Sequence, residues 1–421
     1  MGPQASPASL LGRGLLALLL AALLVQAARE AVASRLAARN SLDGIRRAER
    51  WDPSNPEYPA RFGRALAADP ADADPREVAH AFETAARLGP HRAENWAGLG
   101  EALDLAGDSA GAARAYERAL ELFPRSPAIN WQFANFLIRA GDATQAAAPL
   151  RAAIEGDATL RMGAFDLEWR AGMPPEEILA IVPARQEILS AYLDYLVRTE
   201  RLDAAADAWR RLIASPDAFD MDAALRYFDA LLHAHRVDAL EALWADLARH
   251  DPARVHAADG ANRITNGGFE DAVLGGGFDW RIVPIDGAEA EIDTETVHGG
   301  SRSLCVRFDG KHNLAFGHVA QYAAVEPDTA YRLTAWVRTE GITTDSGPRI
   351  GVYDPLDRAA LSAETGNLTG TAAWQEQTLE FRTPPETRIV IVQVVRPPSR
   401  KLDNQIAGTL WLDDVSLSPI P

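Results

Sequence analysis

The sequence predicts a multidomain chain, α first and β after: an N-terminal apolar helix, an α-helical repeat solenoid and a C-terminal antiparallel β-sandwich. Three observations carry this. An unbroken apolar run, Gly14 to Val25, stands near the start. Small and aromatic residues then recur at a fixed period through an alanine-rich stretch that ends at His250-Asp251-Pro252. After Asp259-Gly260 short stretches of alternating polar and apolar residues follow, divided by turn signals. At roughly 100–200 residues per domain, a chain of 421 residues makes two to three domains. Hydrophobic residues at 47% and charged residues at 24% exclude wholesale disorder. The net charge of -17 argues against nucleic acid as a partner, because phosphates would go unneutralised. A single cysteine, Cys305, excludes a disulfide framework and any cysteine-built zinc or iron–sulfur site.

The apolar run follows Arg13 and is dominated by leucine and alanine. About 15 apolar residues behind a basic start give the n-region and h-region of a secretory signal, and Val25-Gln26-Ala27 provides a small-residue cleavage site. If Leu10 and Leu11 lengthen the run and Arg13 snorkels, residues 10–28 instead form a membrane anchor. Both outcomes for residues 1–28 stay open. Arg29, Arg35 and Arg39 just beyond the run oppose export by the positive-inside rule. The short apolar region favours it. With no cysteine near the junction, lipid attachment there is excluded.

The repeat is clearest in Trp96, Leu99, Gly100, Leu103, Gly107, Ala112, Tyr116, Ala119 and Pro124. Thirty-four residues on come Phe133, Ala134, Leu137, Gly141, Ala146, Leu150 and Ala153, and thirty-four back Phe82, Ala85 and Pro90. This resembles the tetratricopeptide repeat, a helix–turn–helix unit of about 34 residues. Small residues at the Gly100, Ala112 and Ala119 positions let two helices approach closely, and the proline ends the second. Degraded pairs follow at Leu189, Tyr192, Leu196, Ala205, Trp209 and Leu212, then at Tyr227, Leu231, Leu240, Trp244 and Leu247. An upstream pair is expected near Ser41, with Ile45, Ala48 and Pro53. The reading is a solenoid of five or six helix pairs over 29–252, interrupted at about 157–183 by a segment containing Met173-Pro174-Pro175. Stacked units build an extended groove, so a protein or peptide is the expected partner. Trp96, Trp209 and Trp244 read as packing residues. Trp131, one residue out of phase with Trp96, is the candidate for partner contact. His233 and His235, two apart on a helix, do not share a face for a metal.

A linker is expected at 253–261 and the sandwich at 262–421. Eight or nine strands are predicted, among them Ser303–Phe308, Tyr331–Arg338, Gln377–Phe381 and Ile389–Val395, with Asp309-Gly310, Glu326-Pro327-Asp328 and Pro384-Pro385 as turns. Five segments in order carry a resemblance. They are Asn266-Gly267-Gly268-Phe269-Glu270 with Trp280, then His298-Gly299-Gly300-Ser301-Arg302-Ser303-Leu304, Tyr331 through Arg338, Trp374 before Phe381-Arg382-Thr383-Pro384, and Leu410 through Leu417. Together they resemble a carbohydrate-binding module of the family 4/9 type, a galactose-binding-like jelly roll. The resemblance implies a structural Ca2+ tying the first and last strands, held by the Glu270 and Asp413 carboxylates with backbone carbonyls near Gly268 and Ser301. It also implies that Trp336 is a core residue, with Trp280, Trp374 and Trp411 on structural positions. That leaves Phe316, Tyr322 and Tyr353, with Gln393 as a polar partner, as candidate sugar ligands. His298, His312 and His318 lack the short spacing of a metal triad.

No H-E-x-x-H or phosphate-binding glycine loop is present, and the one G-x-S-x-G string, Gly107-Asp108-Ser109-Ala110-Gly111, falls inside the helical repeat instead of following a strand, so it does not mark a nucleophile elbow. The expectation is a non-catalytic scaffold of the cell envelope, tethered to the membrane with its bulk extracytoplasmic or secreted after signal cleavage. It would bind a protein through its repeats and a polysaccharide through its jelly roll, in envelope or exopolysaccharide assembly. The alternatives are a pure protein–protein adaptor with a structural jelly roll, and a glycoside hydrolase-associated protein.

Overall fold

The computed structural model describes residues 7–39, 41–68, 73–256, 258 and 260–420, with 7–14 described by their backbone alone. Residues 1–6 of the expected leader, Ala257 and Asp259 of the expected linker, and Pro421 lie outside the described residues. The chain forms two compact units, one ending at Tyr192 and one starting at Leu193.

In the first unit α1 (Pro7–Ala37), α2 (Leu42–Trp51), α3 (Glu57–Ala67), α4 (Pro75–Leu88), α5 (Ala93–Leu105), α6 (Ser109–Leu122), α7 (Pro127–Arg139) and α8 (Ala143–Gly156) follow one another. Their ends are written in the sequence. The side chains of Ser41, Asp74, Asp108, Ser126 and Asp142 each accept a backbone N–H of the first turn they precede. Gly107 (φ 84°) and Gly141 (φ 82°), one repeat apart, take the left-handed conformation just past α5 and α7. A Cβ on Gly100 would stand 2.8 Å from the Tyr116 ring, and one on Gly98 would collide with Phe82. The small residues are therefore what lets aromatic rings of the paired helix lie against backbone. Ala85, Ala112, Ala119, Ala134, Ala146, Leu150 and Ala153 are buried, as the 34-residue period predicts.

One expectation is corrected. Ser41 does not open a helix pair; it caps the second helix of one, α2, while Ile45 and Ala48 face inward. The first helix of that pair is the end of the apolar helix, whose Ala33 and Ala37 are buried with Ile45, Ala48, Tyr58 and Phe62. The chain runs from apolar segment into repeat without a helix break because no glycine or proline falls between Val25 and Ala37. At 157–183, where the repeat pattern fails, the helices are shorter: a 3-10 turn Ala158–Leu160, then α9 (Arg161–Arg170) and the seven-residue α10 (Pro175–Ile181).

The helix α11 (Gln186–Arg198) leads into the second unit, which contains α12 (Leu202–Ile213), α13 (Met221–His233), α14 (Val237–His250) and, among the described residues, ten strands. These are β1 (Arg281–Ile282), β2 (Ala288–Asp293), β3 (Ser303–Asp309), β4 (Phe316–Ala324), β5 (Ala330–Ile342), β6 (Arg349–Tyr353), β7 (Ser362–Glu364), β8 (Gly370–Arg382), β9 (Ile389–Arg396) and β10 (Ala407–Pro419). All pairings are antiparallel, in two five-stranded sheets of order β1-β4-β9-β6-β7 and β2-β3-β10-β5-β8. Alternation sorts the faces. Tyr331, Leu333, Ala335 and Val337 of β5 meet Val390, Val392 and Val394 of β9 in one core. Trp336 is thereby placed on the outer face, half-buried, rather than in the core that the resemblance implied. Trp280 is buried to 1% exposure, and its Nε1 donates to the Asn266 carbonyl.

Candidate functional site

Two places in the sandwich gather functional side chains. At the first, the Asn266–Glu270 loop packs directly on the end of β10. Val415 N donates to the Gly267 carbonyl at 3.0 Å, and a Cβ on Gly267 would collide with the Val415 carbonyl. A register shift in β10 between Asp413 and Ser416 opens the strand there. Asn266 (φ 50°), Phe269 (φ 56°) and Asp414 (φ 46°) all hold left-handed backbone, strained for side-chain-bearing residues.

Into this corner come the predicted ligands. Asp413 is fully buried; its Oδ2 accepts the N–H groups of His298 (2.8 Å) and Gly299 (3.1 Å), and its Oδ1 accepts that of Asp414. Glu270 accepts from Ser301 N and Oγ, both at 2.7 Å, and from Arg302 N at 3.0 Å. A Cβ on Gly268 would lie 3.6 Å from Asp414 Oδ1, 3.7 Å from Asp413 Oδ1 and 3.8 Å from Glu270 Cγ. Glu270, Asp413, Gly268 and Ser301 are thus neighbours, although residues 268 and 413 are far apart in sequence. Burial pushes the Asp413 carboxyl upward, against the pull of its three N–H donors. The hydrogen bonds from Ser301 hold Glu270 below the usual range.

The donor chemistry suits a hard divalent cation. Three carboxylates, Glu270, Asp413 and Asp414, stand close together with no lysine ammonium or arginine guanidinium bonded to them among the described residues, and each accepted N–H leaves a further lone pair. No group of three His, Cys, Asp or Glu side chains among the described residues is arranged to hold a metal by itself. Backbone carbonyls would have to complete the shell. The sequence reading did not place Asp414 or His298 at this corner, weighing His298 only together with His312 and His318, although both stand inside segments it quoted. His298 Nδ1 lies 2.6 Å from Asp414 Oδ2, and its ring stacks on Trp336 at 3.8 Å and 14° with Trp374 edge-on at 5.6 Å.

The second place is the outer face of the β1-β4-β9-β6-β7 sheet. Tyr322 pairs with Ile391, which pairs with Tyr353, so the two tyrosines flank one isoleucine on a single face. Gln393 stands in the next row between Ala320 and Gly351. Phe316 does not join them: the irregularity between Phe316 and Val319 turns its ring into the core, edge-on to Phe308 at 5.5 Å. Tyr353 is only 1% exposed. Its ring lies over Gly351, its hydroxyl donates to Glu364 at 2.7 Å, and the Arg358 guanidinium covers it at 3.7 Å. Burial pushes the phenol up to about 12. Arg349 pairs with Glu364 at 3.0 Å. Tyr322 is half-buried under Arg281, 4.8 Å from the guanidinium. Gln393 donates to the Gly317 carbonyl. Arg349, Arg358 and Glu364, which border this face, carried no motif that would mark them in the sequence.

Trp131, on α7, is half-buried, and a Cβ on Gly163 of α9 would lie 3.5 Å from its ring. Asn135 donates to the Trp131 carbonyl at 2.8 Å.

No family model matches the chain, and no curated protein matches it. Solved structures similar to it include tetratricopeptide proteins for the helical part and carbohydrate-binding modules for the β part. A CBM4 module is 16% identical over 37% of this chain and 99% of its own, with a TM-score of 0.28. YrrB, a TPR protein with an unusual peptide-binding site, is 20% identical over 49% of this chain and 90% of its own, with a TM-score of 0.30. The enzymatically active domain of bacteriophage CBA120 tailspike protein 4 is 16% identical over 38% of this chain, TM-score 0.30, and the chain spans 22% of its length.

Proposed function

We propose that the chain is a membrane-tethered, non-catalytic scaffold of the cell envelope, its bulk extracytoplasmic. Its repeats hold a protein or peptide near Trp131, and its sandwich contacts a glycan, in envelope or exopolysaccharide assembly. The observation that carries the glycan reading is the row Tyr322–Ile391–Tyr353, with Gln393 in the adjacent row and Glu364 and Arg349 at the border. Sugar binding requires apolar ring surface with amide or carboxylate groups beside it; the half-buried Tyr322 offers that ring with Gln393 beside it, whereas Tyr353, 1% exposed under Arg358, supports the row from beneath. Calcium, held by Glu270 and Asp413 with backbone carbonyls near Gly268 and Ser301, would tie the first loop of the sandwich to its last strand and neutralise charge there.

The test is a glycan array probed with residues 29–421, with calcium and with chelator. Binding to one sugar class that Tyr322→Ala and Gln393→Ala abolish supports the reading; a blank array from a cooperatively folded protein rejects it. A second reading, an adaptor with a purely structural jelly roll, is favoured by the guanidinium groups of Arg281 and Arg358 that cap the two tyrosine rings. It predicts the blank array together with a protein partner lost on Trp131→Ala.

A further inference from the structure

We propose that the first helical hairpin, the end of α1 with α2, is seated on anionic lipid headgroups through Trp51, Arg29 and Arg50; this rests on the reading of α1 as a retained anchor. Within one continuous helix the side chains pass from exposed apolar, Leu15 to Val25, to the buried Ala33 and Ala37. By length and composition alone the helix qualifies as a bilayer span; the part seated in hydrocarbon ends before Arg29, because Arg29, Arg35 and the core residues Ala33 and Ala37 follow. From Val25 to Ala33 the axial distance is only about 12 Å, so the repeat core begins just outside the apolar run.

The hairpin brings α2 back toward that run. Arg29 Nε donates to the Trp51 carbonyl at 3.0 Å, which sets the last residue of α2 level with Arg29. Arg29 is four residues beyond Val25, about 6 Å along the axis. A headgroup layer is roughly 5–8 Å deep. The Trp51 ring, 48% exposed, therefore stands where tryptophan concentrates in membrane proteins. Charge points the same way. Residues 28–51 hold six arginines against Glu30, Asp43 and Glu49, a local +3 in a chain of -17, so everything outside this hairpin sums to -20. Arg35, Arg39 and Arg50 are exposed and make no ion pair among the described residues. An anionic surface attracts this patch and repels the remainder, which fixes how the repeats leave the membrane.

The full-length chain in nanodiscs containing phosphatidylglycerol tests this. A thiol-reactive fluorophore is placed at Trp51→Cys and, as a control in the same unit, at Leu105→Cys, a site 66% exposed; Cys305 is buried and stays unlabelled. Headgroup-spin-labelled lipid is expected to quench the probe at 51 several-fold more than the probe at 105. The difference should shrink in Arg29→Gln/Arg50→Gln and in phosphatidylcholine alone. Equal quenching at both positions in a chain that resists alkaline extraction overturns the seating and leaves the anchor intact. A chain found cleaved after Ala27, or released by alkali, overturns the anchor and the seating together. A probe at 51 shielded from solvent yet unquenched assigns the patch to protein and also overturns it.

Discussion

Arg281 of β1 and Asp229 of α13 stand 52 residues apart and meet at 2.6 Å. The same guanidinium donates to the Gly277 carbonyl and lies 5.8 Å from the Phe228 ring and 4.8 Å from that of Tyr322. Beside it Phe278 sits edge-on to Phe228 at 4.9 Å and to Trp244 at 5.9 Å. The hairpin α13–α14 is thus packed on the sandwich, and the segment between them spans a shared interface.

The packing is expected to be worth more than the ion pair. With Arg281 16% and Asp229 49% exposed, a double-mutant cycle on the pair should give a coupling of about 1 kcal/mol. Phe278→Ala should cost about 3 kcal/mol, because two rings lose their partner. Urea unfolding of residues 193–421 measures both. A fragment beginning at 262 should melt lower than one beginning at 193, and equal melting would show the contact to be idle.

Arg396 carries a different load. It is 1% exposed, and its guanidinium donates to the Ser346, Leu314 and Asn404 carbonyls and to Asn313 Oδ1, holding three loops together. Among the described residues no carboxylate bonds to it, and burial pulls its pKa below the ordinary value. Arg396→Met leaves these acceptors unpaired and should cost about 3 kcal/mol or more. Arg396→Lys should not restore it, since a single ammonium cannot span a planar fork of acceptors. Full recovery by lysine would contradict this assignment.

Glu168, on α9, is fully buried with neither carboxylate oxygen hydrogen-bonded, and burial pushes it up to about 8 from 4.5. The folded state therefore holds a proton that the unfolded state releases above 4.5. Stability of the first unit should fall as pH rises from about 4.5 to about 8, by up to about 1.4 kcal/mol per pH unit from this group. Glu168→Gln removes that slope: the variant gains on the parent steadily toward pH 8. Chemical denaturation at pH 5, 6.5 and 8 measures it, and parallel curves for the two proteins would refute it.

Legibility in the sequence followed the range of the interactions. Period and alternation gave the helix pairs and strands, because each is a local repeat of side-chain size: Gly100 against Tyr116, or Val390, Val392 and Val394 along one face. Motif order gave the neighbours Glu270, Asp413, Gly268 and Ser301. What stayed hidden depended on a single residue of offset. Trp336 reads as core until the pairing of β5 with β10 puts it opposite Asp413, on the outside. Phe316 reads as a surface ring until one irregularity in β4 turns it inward. Arg281 and Asp229 belong to different patterns, so neither pattern announces their meeting.

The carboxylate corner yields the last prediction. Asp413 has its pKa raised by burial, with the Asp414 charge adding to the effect. In the absence of a cation the ionised form is penalised, so this group's contribution to stability is lost as pH rises from 3.8 through its folded value. A bound Ca2+ reverses the preference, and its stabilisation should therefore be smaller at pH 4, near the ordinary carboxylate value, than at pH 7, reaching about 2.7 kcal/mol at a hundred times its Kd. Melting residues 193–421 with calcium and with chelator at both pH values reads this directly. Gly300→Ala is the sharper probe. Gly300 has φ 58°, and a Cβ there would collide with Glu270 Oε1, so the variant should displace Glu270 and lose the calcium response while the Val390–Val394 core still melts cooperatively. If chelator leaves the parent's melting point unchanged at pH 7, the carboxylates are held by N–H donors alone, and the calcium assignment is wrong.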